Sequence, residues 1–308
     1  MDSILKVNNL RKKFVNIDAI DGISFEIQKG EMFGFIGPDG AGKTTTIRTL
    51  CGILKNFKGS VEIMGYDLKE EPEKIKRNIG YLSQDFSLYK DLTVDENIEF
   101  FAELHQIENY QKRRKELLEF TKMGEFRNRR AKNLSGGMKK KLALACTLIH
   151  RPEIIFLDEP TNGVDPVSRR EFWQILSELL KSNVTIFLST PYIDEAERCS
   201  RVGLLNKGKL LGINTPENLK QSMKQTIYEI VLPEVRRGFN ELNSLDFIND
   251  IQSFGDRLHL YLSGEKKSNL EMIKNTLGDK NVEYKKMEQI APSLEDVFIY
   301  YLKKDKEE

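Results

Sequence analysis

The sequence predicts an α/β fold followed by a smaller α+β domain, and three observations carry that reading. Short apolar runs alternate with stretches of helical spacing. Between residues 93 and 150 the strand signal vanishes and only helical spacing is left. Beyond residues 215–226 the strands change from wholly apolar to alternating.

The candidate strands of the first part are ISFEI (23–27), MFGFIG (32–37), IGYLS (79–83), IIFLD (154–158), TIFLS (185–189) and VGLLN (202–206). Several are apolar throughout, as expected of strands covered on both faces. The segments TVDENIEFFAELH, KRRKELLEFTKMG and SGGMKKKLALACTLIH form a helical insertion at about 93–150. Thr215 then stands as an N-cap and Pro216 at the first helical position. After it, IYEIVL (227–232) and RLHLYL (257–262) alternate like half-exposed strands. SNLEMIKNTLG is a helix ending at Gly278, a suitable C-cap. SLEDVFIYYL (293–302) is a last amphipathic helix, with Ser293 and Asp296 spaced as a capping box. The expected domains are 1–224 and 225–308, with the tail KKDKEE frayed.

Composition narrows the class. A chain of 308 residues has room for about two domains. With 39% hydrophobic and 31% charged residues it can build a core under a solvated surface. A net charge of +1 gives no reason to expect a nucleic-acid partner. The seven basic residues between 127 and 141 read as a solvated face. Cys51, Cys146 and Cys199 are widely spaced and show no metal-ligand pattern, which fits a reduced protein. No window reaches the roughly 20 apolar residues of a membrane span. The opening residues lack a signal-peptide apolar region. A membrane role would need a partner.

Two motifs carry the chemistry. GPDGAGKTT, residues 37–45, follows an apolar strand and opens a helix, the context that a phosphate loop requires. Its residues are Gly37, Pro38, Asp39, Gly40, Ala41, Gly42, Lys43, Thr44 and Thr45. The glycines admit positive φ and leave no Cβ in the way of a phosphate chain. Backbone N–H groups at a helix start face the anion. Lys43 would reach the β- and γ-phosphates, and the Thr44 hydroxyl would bind Mg²⁺. The second motif, IIFLDEP, ends a buried strand in two acids, which need cations or hydrogen bonds there. Asp158 fits as the residue that holds Mg²⁺ through water, and Glu159 as the base that polarises an attacking water.

LSGGMKKKLALA, residues 134–145, makes a specific resemblance. Ser135, Gly136 and Gly137 resemble the signature of the ATP-binding cassette (ABC) family, the motor subunits of ABC transporters. The resemblance implies a P-loop NTPase cassette, with a mixed sheet and a helical insertion. It also implies ATP and Mg²⁺ as ligands, and a head-to-tail pair in which each signature covers the other subunit's γ-phosphate. Gln84 is similar to the glutamine that senses Mg²⁺, and Phe14 to the aromatic that stacks on adenine. Asn162-Gly163-Val164-Asp165 resembles the loop whose aspartate communicates across the dimer. The small C-terminal domain ending PSLEDVFIYYL, with LYKDLTVDENI, resembles cassettes of ABC-2-type exporters. The pairing of GPDGAGKTT with STPYIDEAERC is similar to one half of YbhF-type tandem cassettes. The implied partners are an integral-membrane permease and a second cassette, in a homo- or heterodimer. The implied location is peripheral, on the cytoplasmic face of the membrane.

One position departs from the family. After Ser189 and Thr190 the family has a histidine that hydrogen-bonds the γ-phosphate; here it is Pro191. Proline offers neither a side-chain donor nor a backbone N–H. Thr190 and Tyr192 are the neighbouring hydroxyls. The expectation is intact ATP binding with slow intrinsic hydrolysis, or an asymmetric heterodimer. The alternatives are a non-catalytic, ATP-gated regulatory cassette and a soluble ABC ATPase outside transport. Trp173, among Ile175, Leu176 and Leu179, reads as core.

Overall fold

The computed structural model describes residues 2–85, 88–223, 225–262 and 267–307. Contacts divide the chain into two compact units, Met1–Pro216 and Glu217–Glu307. The division falls before residue 224 because the helix Pro216–Ser222 groups with the second unit, where Met223 lines a surface cleft with Ile227 and Ile290.

In the first unit a six-stranded sheet has the order Lys209–Asn214, Arg201–Asn206, Met32–Ile36, Thr185–Thr190, Ile154–Asp158, Ile79–Leu82. All neighbours are parallel except the antiparallel edge strand Lys209–Asn214. The three central strands are buried along their whole length, which is why their sequences are apolar without alternation. Their register aligns Ile36 with Thr190 and Asp158 with Ser189. The residues that follow these strands therefore leave the sheet side by side at its carboxyl edge, where open α/β sheets bind ligands.

A second, antiparallel sheet has the order Ile17–Gln28, Ser3–Phe14, Lys58–Ile63, Tyr66–Asp67. One hydrophobic cluster joins the two sheets. Phe25 of the second sheet stacks on Phe33 at 5.7 Å and meets Phe35 edge-on at 5.1 Å. The insertion consists of Val94–Leu104, Tyr110–Phe120 and Gly136–Leu148. Thr93 and Glu96 form a capping box at its entry.

The second unit is an antiparallel sheet in the order Ile248–Phe254, Arg257–Leu262, Thr226–Val231, Lys286–Ile290. Its core draws on Leu258, Leu260, Ile273 and Leu277. The last helix runs from Leu294 to Glu307, so all but the final residue of the tail expected to fray is helical. Lys and Glu are good helix formers, and lysines in a last turn favour the helix dipole.

The cysteines Cys51, Cys146 and Cys199 are free and buried, and burial pushes each thiol up. Among the described residues, no helix is long and apolar enough to cross a membrane.

Candidate active site

At the carboxyl edge of the parallel sheet lies a cavity of about 660 Å³. One side is the phosphate loop, whose glycines are required for different reasons. Gly42 has φ 106°, a left-handed backbone that side chains resist. A Cβ on Gly37 would fall 2.2 Å from the Leu205 carbonyl oxygen, so only glycine fits against that strand. The helix Lys43–Leu50 starts at this loop, and its first residues, Lys43, Thr44 and Thr45, line the cavity. The Lys43 ammonium is buried and donates to the carbonyls of Gly37 (2.8 Å) and Pro38 (3.1 Å). It also lies 3.4 Å from Glu159 Oε1.

The two acids face different partners. Asp158 is fully buried, and its Oδ1 accepts from Thr44 Oγ1 (3.0 Å) and Ser189 Oγ (2.7 Å). Its Oδ2 is buried and has no hydrogen-bond partner among the described residues. An orphaned carboxylate oxygen beside a threonine hydroxyl suits a hard divalent cation. Glu159 has φ 47°, unusual for a residue with a side chain. This bend turns its carboxylate out of the strand and into the cavity lining. Ser189 holds the bend, accepting from the Glu159 N–H through its hydroxyl (3.1 Å) and its carbonyl (3.2 Å). Glu159 Oε2 accepts from the side-chain amides of Gln84 (3.1 Å) and Asn162 (3.2 Å). Lys140 Nζ donates to the Gln84 carbonyl at 2.7 Å. Burial lowers the Lys140 pKa, against the pull of Asp85, Asp158 and Glu159.

The sheet thus brings together residues 39–45, Gln84, Glu159 and Pro191 around one cavity, with Asp158 directly behind Thr44. Gly37 and Pro38 precede that lining, and two further predicted groups stand apart from it. Phe14 is 41% exposed and carries the Lys12 ammonium 5.1 Å over its ring. The cavity is bounded there by Ile17, Asp18, Ala19 and Lys207 instead. Ser135, Gly136 and Gly137 do not line the cavity of their own chain. Ser135 caps the helix Gly136–Leu148 by accepting from the Met138 N–H at 3.3 Å. The basic stretch 127–141 is largely occupied within the chain: Arg127 pairs with Asp95 (3.0 Å), Lys132 with Asp91 (2.8 Å) and Lys141 with Glu171.

Sequence reasoning missed Glu195, and it named Asn162 and Ser189 only as motif neighbours, without their contacts to Glu159 and Asp158. Glu195 is fully buried, and its carboxylate accepts from Thr161, Arg169 Nε (2.6 Å), Trp173 Nε1 (3.2 Å) and Thr190 Oγ1 (2.7 Å). Trp173 is a core residue, as read, but with a polar task. The acid run DEAE was the signal at hand, since a carboxylate buried on the inner side of a short helix needs donors.

Known proteins share the fold and much of the sequence. The ABC transporter family matches residues 20–162. The family described as ATP-binding protein DrrA1-3-like, C-terminal domain, matches residues 215–302. Linearmycin resistance ATP-binding protein LnrL of Bacillus subtilis (strain 168) is 32% identical over 80% of this chain and 81% of its own. Daunorubicin resistance ATP-binding protein DrrA3 of Streptomyces coeruleorubidus is 29% identical, with 97% and 96% covered. The probable multidrug ABC transporter ATP-binding protein YbhF of Escherichia coli (strain K12) is 40% identical over 71% of this chain, which spans only 38% of YbhF. Among solved structures, a dimeric post-hydrolysis state of the cassette MJ0796 bound to ADP and Pi superposes with a TM-score of 0.63 at 27% identity. It covers 68% of this chain and 98% of that one. The chain belongs to the ABC transporter ATP-binding family.

Proposed function

We propose that this chain is the ATP-binding and ATP-hydrolysing motor subunit of an ABC-2-type membrane exporter. It would act with a second cassette and an integral-membrane permease that holds it at the cytoplasmic face of the membrane. The observation that carries the reading is the meeting of Lys43, Thr44, Asp158, Glu159 and Gln84 at one sheet edge. The names of relatives such as LnrL and DrrA3, and the DrrA-like C-terminal match, support the exporter class.

ATP would lay its phosphates along the N–H groups of residues 39–45, with the Lys43 ammonium turning from its loop carbonyls toward them. Thr44, Gln84 and Asp158 are the residues to hold Mg²⁺. Held there, Mg²⁺ would supply positive charge against the phosphate oxygens. Glu159, fixed by Gln84 and Asn162, would orient and polarise the attacking water. The base would lie toward Ile17, whose ladder partner Phe14 is the stacking candidate. Ser135, Gly136 and Gly137 would serve the partner cassette's nucleotide. MJ0796, dimeric with ADP and Pi, offers a parallel.

Pro191 sets the rate in this reading. Losing one preorganised donor costs a site on the order of 10²–10³ in turnover. In a heterodimer, a partner with its own histidine would fire normally over this chain's signature, while the site on Lys43 stays slow. The test is phosphate release by the purified chain with Mg-ATP, alone and with a candidate partner cassette. Pro191→His is expected to raise turnover about tenfold or more. Fast turnover left unchanged by the substitution would refute the reading. Lys43→Ala removes ATP binding. A second reading, an ATP-gated cassette without catalysis, is favoured by Pro191 itself; binding without phosphate release in both wild type and Pro191→His would select it.

A further inference from the structure

Pro191 leaves two hydroxyls beside it at the cavity edge, and they are not equivalent. Thr190 is fully buried and committed. Its hydroxyl donates to Glu195 Oε2 at 2.7 Å and accepts from the Tyr192 N–H at 3.0 Å. Tyr192 lines the cavity next to Pro191, with 38% of its surface exposed. Its hydroxyl is 3.5 Å from Asn162 Oδ1, a long and weak contact that a better acceptor displaces. Asn162 in turn donates to Glu159 Oε2 at 3.2 Å. The phenol therefore stands one side chain from the carboxylate that faces the phosphate loop.

The ring is held in that place. The Arg169 guanidinium lies 4.8 Å from the ring centroid, within cation–π range. Arg169 is fixed by Glu195 at 2.6 Å and by both oxygens of Asp194 at 2.9 and 2.8 Å. Through Glu195 the same bracket ties down Thr161, two residues past Glu159, and Thr190. The bracket thus fixes the tyrosine relative to the acid loop.

We propose that the Tyr192 hydroxyl is the hydrogen-bond donor to the nucleotide's terminal phosphate that Pro191 cannot provide. The proposal rests on the cavity being an ATP-hydrolysing site. A phenol donates a hydrogen bond as a neutral group. It gives the site a donor without the cation that a histidine can become. Such a site would turn over slowly rather than not at all.

The test is a four-member cycle of the full chain: wild type, Tyr192→Phe, Pro191→His and the double variant. Steady-state phosphate release and calorimetric Mg-ATP binding are measured for each. Tyr192→Phe is expected to lower kcat about tenfold and leave KM and Kd within about twofold, because the donor acts on developing charge. In the Pro191→His background the same change should cost less than about twofold, since the histidine has taken the contact. Wild type should show no limb between about pH 5.5 and 8 from this position, and Pro191→His should gain one. An unchanged kcat in Tyr192→Phe, or an equal loss in both backgrounds, overturns the proposal. If wild type binds ATP but releases no phosphate, the hydrolysis reading fails. The proposal, which rests on that reading, then falls with it, whereas an unchanged kcat in Tyr192→Phe overturns the proposal alone. Absence of ATP binding in folded wild type removes both.

Discussion

Lys43 Nζ and Glu159 Oε1 are 3.4 Å apart, with both side chains buried. In the proposed roles, the cation that would meet a phosphate is thus shared with the candidate base. A phosphate entering the loop competes for that ammonium and frees the carboxylate as it does so. Glu159→Gln keeps an acceptor and adds a donor but cannot take a proton. We expect it to lower phosphate release by about 10²–10⁴. ATP affinity should rise, because the competitor for Lys43 and a negative charge near the phosphates are both gone. Calorimetry checks the second part; weaker ATP binding in a folded variant would contradict it.

Gly137 is a packing glycine as well as a signature residue. A Cβ there would sit 2.2 Å from Ser168 Cβ and 2.3 Å from its Oγ. The helices Gly136–Leu148 and Pro166–Lys181 meet at this point. Gly137→Ala should cost about 1–3 kcal/mol by overpacking, and adding Ser168→Gly should recover most of it. Gly136 has only the Gly163 carbonyl at 3.7 Å, so Gly136→Ala should leave stability nearly unchanged. Thermal unfolding of the four proteins decides it.

The second unit carries a pH-dependent polar network. His259 Nδ1 is 2.9 Å from Asp296 Oδ1, and His259 Nε2 is 3.5 Å from Glu229 Oε2. Burial alone would lower the His259 pKa, but Asp296 and Glu229 together raise it. Burial alone would raise the Asp296 pKa; hydrogen bonds from His259, Ser293 and Tyr261 hold it at about 2. A raised histidine stabilises fully below its unfolded value and loses that contribution as pH climbs through its folded value. A depressed carboxylate contributes above its unfolded value and loses it as pH falls toward its folded one. The network should therefore stabilise most between about pH 4 and 6.5. Urea unfolding followed by circular dichroism should show stability falling from pH 6.5 to 9, with a shallower fall in His259→Gln. An identical slope would mean that the histidine is not the titrating group.

Glu195 collects donors from Thr161, Arg169, Trp173 and Thr190. Glu195→Gln turns one acceptor into a donor facing other donors, at a cost of about 3 kcal/mol. Trp173 is the only tryptophan, and its indole N–H ends on this carboxylate, so its emission should shift. Unchanged emission and unchanged stability together would refute the network.

What the sequence made legible was what is local. Met32–Ile36, Ile154–Asp158 and Thr185–Thr190 read as strands because burial on both faces leaves an unbroken apolar run. The phosphate loop and the two acids read as chemistry because each motif is contiguous. Ser189 did not, because its tie to Asp158 spans 31 positions and depends on strand register. Glu195 did not, because its donors are scattered from Thr161 to Thr190. Ser3–Phe14 escaped the strand pattern because its outer face is polar and register shifts near Asn8 and Arg11 interrupt the alternation. Phe14 matched a sequence pattern, yet its ring rests beneath its own neighbour Lys12.

The three sequestered thiols have a practical consequence. With Cys51, Cys146 and Cys199 all buried and burial pushing each thiol up, the chain should resist maleimide chemistry. A single cysteine introduced on an outward face would be the sole label site. Dye pairs placed that way could follow how two cassettes approach and part, with no native residue removed first.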